Sequence, residues 1–140
     1  MEQRGALLIE KLHPRPGELQ YAPYLSARYN WTPFTRRTRR GTLMMRWVMA
    51  FTLAQLTSMR IRLLPARCAD FLAKFERAGR DLHSEGLAHH DLHARNVLYN
   101  PTNGAFYLID FGNTAPSLSP AADDADRMAE VRRKIRRLCL

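Results

Sequence analysis

The chain has 140 residues and a mass of 16.2 kDa, enough for one domain or part of one and too little for two independent cores. Hydrophobic residues make up 46% and charged residues 25%, a balance that excludes wholesale disorder and fibrous repeats. Lys and Arg total 22 against 13 Asp and Glu, and the formal charge of +9 favours polyanionic partners such as nucleotides, nucleic acid or anionic lipid.

Nearly all the basic charge is arginine, so a role that needs lysine has only Lys11, Lys74 and Lys134 to draw on. Cys68 and Cys139 lie far apart in sequence, form no CxxC and follow no signal peptide. That pattern predicts reduced thiols in a cytosolic-type compartment, cytoplasm or nucleus, and no structural zinc site. The most apolar stretch, Leu43 to Leu56, is interrupted by Arg46 and falls short of the roughly 18 to 20 residues of a membrane span.

In chain order, Ala6 to Leu12 is a short apolar run between Gly5 and the prolines Pro14 and Pro16, which predicts a buried strand leading into a loop. Residues 13–42 carry Pro14, Pro16, Pro23 and Pro33, scattered aromatics and the cluster Arg36-Arg37-Thr38-Arg39-Arg40, and read as loop or insertion. Leu43, Trp47, Phe51 and Ala54 fall at helical offsets, which predicts a helix over 43–62. Phe71, Leu72, Phe75, Ala78 and Leu82 predict a second helix over about 66–84, opened near Pro65 and stopped at Gly86. Asn96 to Tyr99 and Ala105 to Asp110 are β-like runs joined across Asn103-Gly104, so they should pair antiparallel. A last helix over 122–138 follows from Met128, Val131, Ile135 and Leu138, with its acidic residues early and its basic residues late, as the helix dipole favours.

The chemistry concentrates in His89-His90-Asp91-Leu92-His93-Ala94-Arg95-Asn96 and, one hairpin later, Asp110-Phe111-Gly112. Asp91 and Asn96 are five apart, and Asp110 follows Asp91 by nineteen residues. Carboxylates and an amide oxygen brought together by a loop and a hairpin are what phosphoryl transfer requires, since that reaction asks mainly for positioning and for oxygen ligands to Mg²⁺. The stretch resembles the catalytic and metal-binding loops of the protein-kinase-like phosphotransferases, H-R-D-L-x-x-x-N followed by D-F-G. The resemblance implies that Asp91 orients or deprotonates an acceptor hydroxyl, that Asn96 and Asp110 bind Mg²⁺, and that His89, Phe111 and Gly112 are structural supports. It further implies ATP and Mg²⁺ as cofactors, with Glu10 and Leu12 on a hinge-like strand gripping adenine through backbone groups. Asp126, with Asp123 and Asp124 as competitors, is placed like the family's aspartate that ties the catalytic loop to the following helix.

Departures from the family pattern shape the expectation. No G-x-G-x-x-G occurs, and Lys11 falls inside the hinge-like segment, so the phosphate-pairing lysine and its glutamate partner are expected to be absent. His90 replaces the usual arginine, which argues against control by a phosphorylated activation loop, and no A-P-E follows Gly112. His93 resembles the aminoglycoside and choline branch, whereas Ala94-Arg95-Asn96 resembles the tyrosine-kinase loop. The expected fold over residues 1–140 is α+β: a protein-kinase-like C-lobe over 43–138, mostly helical with a small catalytic β-hairpin, and an N-lobe largely missing. The expected function is ATP- and Mg²⁺-dependent phosphoryl transfer to a hydroxyl, on a protein first and on a small molecule second, weak or absent in this chain alone. Against it stand a pseudokinase remnant acting as a binding module and a metal site built from His89, His90, Asp91 and His93. Nucleic acid and membrane are not expected as partners, and Arg36 to Arg40 reads as a solvated loop.

Overall fold

The computed structural model describes residues 7–140 and contains eight short strands and four helices. Gly5 and Ala6, at the head of the first expected strand, lie outside the described residues. The rest of that run forms β1 (Leu8–Lys11), followed by α1 (Pro16–Arg28), β2 (Thr35–Arg37) and β3 (Leu43–Arg46). β3 is the centre of a three-stranded antiparallel sheet in the order β1-β3-β2, with Lys11 opposite Leu43 and Arg37 also opposite Leu43.

Two expectations are corrected here. Residues 13–42 are not merely a loop, because α1 starts with Pro16 in its first turn, where a missing N–H is harmless, and accommodates Pro23 in its interior. The high proline density had masked a helix-start signal, Pro16-Gly17-Glu18. Nor is 43–62 one helix: it divides into β3, β4 (Phe51–Thr52) and the short α2 (Leu53–Ser58). Of the supposed helical face Leu43 is buried, but Trp47 and Phe51 are both more than 40% exposed. Strand pairing on both edges of β3 satisfies its backbone and overrides the local 3.6-residue spacing.

The C-terminal part follows the sequence closely. α3 (Pro65–Ser84) buries Phe71, Phe75, Ala78 and Leu82, and Gly86 after it takes a left-handed φ of +75°. β5 (Leu87–Ala88) leads into the catalytic-type loop, and β6 (Val97–Tyr99) and β7 (Phe106–Leu108) form the antiparallel hairpin. β4 joins β6, giving the order β4-β6-β7, while β8 (Ala115–Pro116) pairs with β5. α4 (Pro120–Leu138) packs on α3 and buries Met128, Val131, Ile135 and Leu138. Phe71 stacks on Tyr99 with centroids 4.3 Å apart, locking α3 to the hairpin. Tyr99 donates to Asp70 at 2.7 Å, and burial with that contact pushes its phenol up to about 12.

The expectation of free thiols is also corrected, since Cys68 and Cys139 form a disulfide with Cα atoms 5.6 Å apart. Backbone bonds from Leu63 to Leu138 and from Leu140 to Leu63 bring the chain end back to the start of α3, a proximity that 71 residues of separation conceal in the sequence. The compartment argument from reduced thiols loses its premise. No helix among the described residues is long and apolar enough to cross a membrane.

Candidate phosphotransfer site

The loop between β5 and β6 is fixed from below by one carboxylate. Asp124, fully buried in the first turns of α4, accepts from the backbone N–H of His89 at 2.9 Å and of His90 at 3.0 Å, and lies 2.7 Å from His83 Nε2. The tie assigned to Asp126 therefore belongs to Asp124, while Asp126 is exposed. The three neighbouring aspartates are equivalent in sequence, and only the rotational phase of α4 against the loop separates them.

His89 is fully buried. Its Nδ1 accepts from the Asp91 N–H at 3.1 Å, which leaves Nε2–H to donate to the Ile109 carbonyl at 3.0 Å. Burial pushes its pKa down, so the neutral ring that these two bonds require is the stable form. One imidazole thus couples the loop carrying Asp91 to the strand end carrying Asp110. Phe111, 2% exposed, packs on His89 at 5.2 Å between ring centroids and fixes the turn after that strand.

Asn96 donates through Nδ2 to the Asp91 carbonyl at 2.8 Å and approaches an Asp91 carboxylate oxygen at 3.4 Å. Its carbonyl Oδ1 remains as an acceptor. Asp110 Oδ1 accepts from the Gly112 N–H at 3.3 Å. Both His90 and Asp110 hold left-handed φ values, +66° and +62°, which cost non-glycine residues on the order of 1–2 kcal/mol each. Arg60, outside the site, shares this region at φ +56°, and at His90 and Asp110 the surrounding hydrogen bonds over-determine the geometry.

A cavity of about 180 Å³ opens between the β1-β3-β2 sheet, α1 and the hairpin, and Asn96, Asp110, Lys11 and Glu18 share its wall with Ala22, Leu43, Met45 and Phe111. Lys11 Nζ meets the two carboxylate oxygens of Glu18 at 2.7 and 2.8 Å. The lysine–glutamate pair that the sequence was expected to lack is present as a geometric arrangement, with Lys11 on β1 and Glu18 in the first turn of α1. Gly17 lets α1 approach this closely: a Cβ there would stand 2.6 Å from the Phe111 carbonyl oxygen. Glu10 and Leu12, by contrast, are not brought to the cavity. Glu10 accepts from Arg40 and Thr42, both at 2.7 Å, and Leu12 is 60% exposed.

The residues present fit magnesium better than zinc. Among the described residues no group of three or more His, Cys, Asp and Glu could hold a metal, which removes the histidine-rich alternative built on His89, His90, Asp91 and His93. An Asp110 carboxylate and an Asn96 amide oxygen on one cavity wall are the sparse, hard oxygen set that Mg²⁺ accepts when water and phosphate oxygens complete its shell. Asp91 carries two further neighbours, His93 Nε2 at 3.5 Å and Arg127 Nη1 at 3.8 Å.

A model of the phosphotransferase enzyme family matches residues 22–135. The fold is similar to that of the Cydia pomonella granulovirus kinase PK-1, with a TM-score of 0.71 at 16% identity, over 93% of this chain and 58% of that one. The chain therefore spans less than two thirds of that kinase. No curated protein matches it. The matched segment begins after Glu18, so the Lys11–Glu18 pair stands on geometry alone.

Proposed function

The chain belongs to the phosphotransferase enzyme family, and from that membership we propose that it transfers the γ-phosphoryl group of ATP to a hydroxyl. The observation that carries the reading is the single cavity wall shared by Lys11, Glu18, Asn96 and Asp110. Asp110 and Asn96 would hold Mg²⁺, which when bound neutralises charge on the nucleotide phosphates. Lys11 supplies a cation for a phosphate oxygen, and Glu18 holds its ammonium towards the cavity. Asp91 orients the acceptor hydroxyl: the acceptor oxygen bonds to the γ-phosphorus, the bond to the β–γ bridging oxygen breaks, ADP leaves, and the hydroxyl proton passes to the Asp91 carboxylate. His89 keeps Asp91 and the Asp110 turn in register through its two hydrogen bonds.

The absence of any G-x-G-x-x-G from the sequence favours a second reading, a nucleotide-binding or scaffolding module without turnover. Lys11 weakens it, because one of the two phosphate-fixing elements it presumes lost has a geometric equivalent. Thermal melts of the full chain with ATP, with and without Mg²⁺, test the proposal. A magnesium-dependent rise in Tm that disappears in Asp110→Asn, with unchanged circular dichroism, is the expected result. A folded chain that shows no shift at any ATP concentration overturns it.

A further inference from the structure

The start of α1 does more than carry Glu18. It rests on the backbone of the Asp110 turn, since a Cβ at Gly17 would stand 2.6 Å from the Phe111 carbonyl oxygen and 2.7 Å from that of Gly112. Arg15, the residue before α1, adds a second contact to the same turn. A Cβ at Gly112 would stand 2.8 Å from Arg15 Cδ and 3.3 Å from Asp110 Oδ1, so the arginine stem and the Asp110 carboxylate flank a spot that only glycine leaves open.

Beyond Gly112 the arginine ends on Asn113. Its Nη1 donates to Asn113 Oδ1 at 2.9 Å, a charge-assisted hydrogen bond across 98 residues of sequence. The Asn113 carbonyl in turn accepts from His90 Nδ1 at 3.1 Å, and His90 is the neighbour of Asp91. On the other side, the Arg15 N–H donates to Glu18 Oε1 at 3.3 Å, and that carboxylate holds Lys11 at 2.7 Å. A continuous series of contacts therefore runs from Lys11 through Glu18, Arg15 and Asn113 to the loop that carries Asp91, and its middle link lies against the Asp110 turn. The Lys11 side chain is 45% exposed, and an ion pair so exposed fixes its members only weakly, so the direction of the ammonium depends on where α1 carries Glu18.

We infer that Arg15 and Asn113 are positioning residues, which seat the start of α1 on the Asp110 turn and so set Lys11 against the phosphates of a nucleotide held at Asp110. This rests on the phosphoryl-transfer reading of the cavity. Neither residue lines the cavity wall, so each acts through Lys11 and not on the nucleotide itself. Asn113 presents an uncharged oxygen to the guanidinium, and the planar arginine fork suits that contact while its apolar stem covers Gly112.

Calorimetric titration of the full chain with Mg-ATP and, separately, with adenosine tests the assignment. Arg15→Ala and Asn113→Ala are each expected to weaken Mg-ATP binding at least several-fold and to leave adenosine binding unchanged, because adenosine has no phosphate for Lys11 to meet. Arg15→Lys, which keeps a cationic donor on an apolar stem, should recover much of the loss. In a Lys11→Met background Arg15→Ala should cost nothing further, since residues that act through one group are not additive. An arginine with a merely structural role would weaken both ligands alike or add its loss to that of Lys11→Met, and either result overturns the inference, as does Mg-ATP binding unchanged in both single variants. A parent chain that binds adenosine but gains nothing from the magnesium-bound triphosphate would instead overturn the transfer reading, and the positioning role with it.

Discussion

Lys11 of β1 and Glu18 of α1 form an ion pair at 2.7 Å on the wall that also carries Asp110. The pair joins a sheet edge to a helix start, so it is a measure of whether α1 is seated against the hairpin. A lysine aimed at a phosphate acts electrostatically on charge that moves during transfer, and the loss of one such group typically lowers rate by about 10²–10³-fold. Lys11→Met is expected to reduce kcat/KM for ATP by about that factor. Glu18→Gln keeps an oxygen for the Arg15 N–H that caps α1 but loses the charge that holds Lys11, and should cost roughly 10-fold to 10²-fold, the range for a displaced catalytic group. Steady-state ATP turnover measures both, and an unchanged kcat/KM in Lys11→Met would remove the lysine from the site.

Asp124 and Asp126 provide an internal contrast between two neighbouring carboxylates. Asp124 is fully buried and satisfies two loop N–H groups and the His83 ring, whereas Asp126 faces solvent. Asp124→Ala leaves those donors buried and unpaired and is expected to destabilise the fold by roughly 3–5 kcal/mol. Asp126→Ala should stay within about 0.5 kcal/mol of the parent. Urea unfolding separates the two, and equal losses would show that Asp124 is not the tie.

Much of this site was legible in the sequence, for a physical reason. Asp91, Asn96, Asp110 and the hairpin between them are close in sequence, so their spacing and the Asn103-Gly104 turn were readable, while the ties from Asp124 and His89 that hold them were not. Helices α3 and α4 were legible because each buries a regular stripe. What the sequence concealed was non-local. Glu18 meets Lys11 only because α1 turns back on β1, Asp124 differs from Asp126 only in helix phase, and Cys68 reaches Cys139 only through the α3–α4 packing. β3 was misread because its apolar spacing fits a helix equally well, and only the flanking strands decide between them.

The far end of α1 is held by Glu85, which accepts from Tyr24 at 2.7 Å, from Arg28 at 3.1 Å and from Tyr29. The hydrogen bond from Tyr29, then that from Tyr24, hold the Glu85 carboxyl below its ordinary value. A carboxyl whose pKa is lower in the folded state stabilises above its unfolded pKa, and the contribution is lost as pH falls through the folded value. Acidification from neutral to below the ordinary Glu pKa of about 4.3 should therefore loosen α1 and with it the Lys11–Glu18 pair. Glu85→Gln is expected to lower stability at neutral pH and to flatten this part of the acid dependence. Urea unfolding across that pH window measures it, and identical pH profiles for parent and variant would show that Glu85 does not anchor the helix.

The Cys68–Cys139 disulfide closes a loop of 71 residues that contains the whole catalytic-type loop and hairpin. Cross-linking so long a segment restricts the unfolded chain, and the loss of such a bond typically costs about 2–4 kcal/mol. Dithiothreitol, or Cys139→Ser, is therefore expected to lower the unfolding midpoint. The drop should be shared by probes near Trp31 and by far-ultraviolet circular dichroism, since Trp31 contacts Phe111 and donates to Asp81 on α3. Mass spectrometry under non-reducing conditions checks the bond directly. Two free thiols in the native protein, or a midpoint insensitive to reductant, would mean that α3 and α4 are held by packing alone, through Phe75, Leu82, Val131 and Ile135.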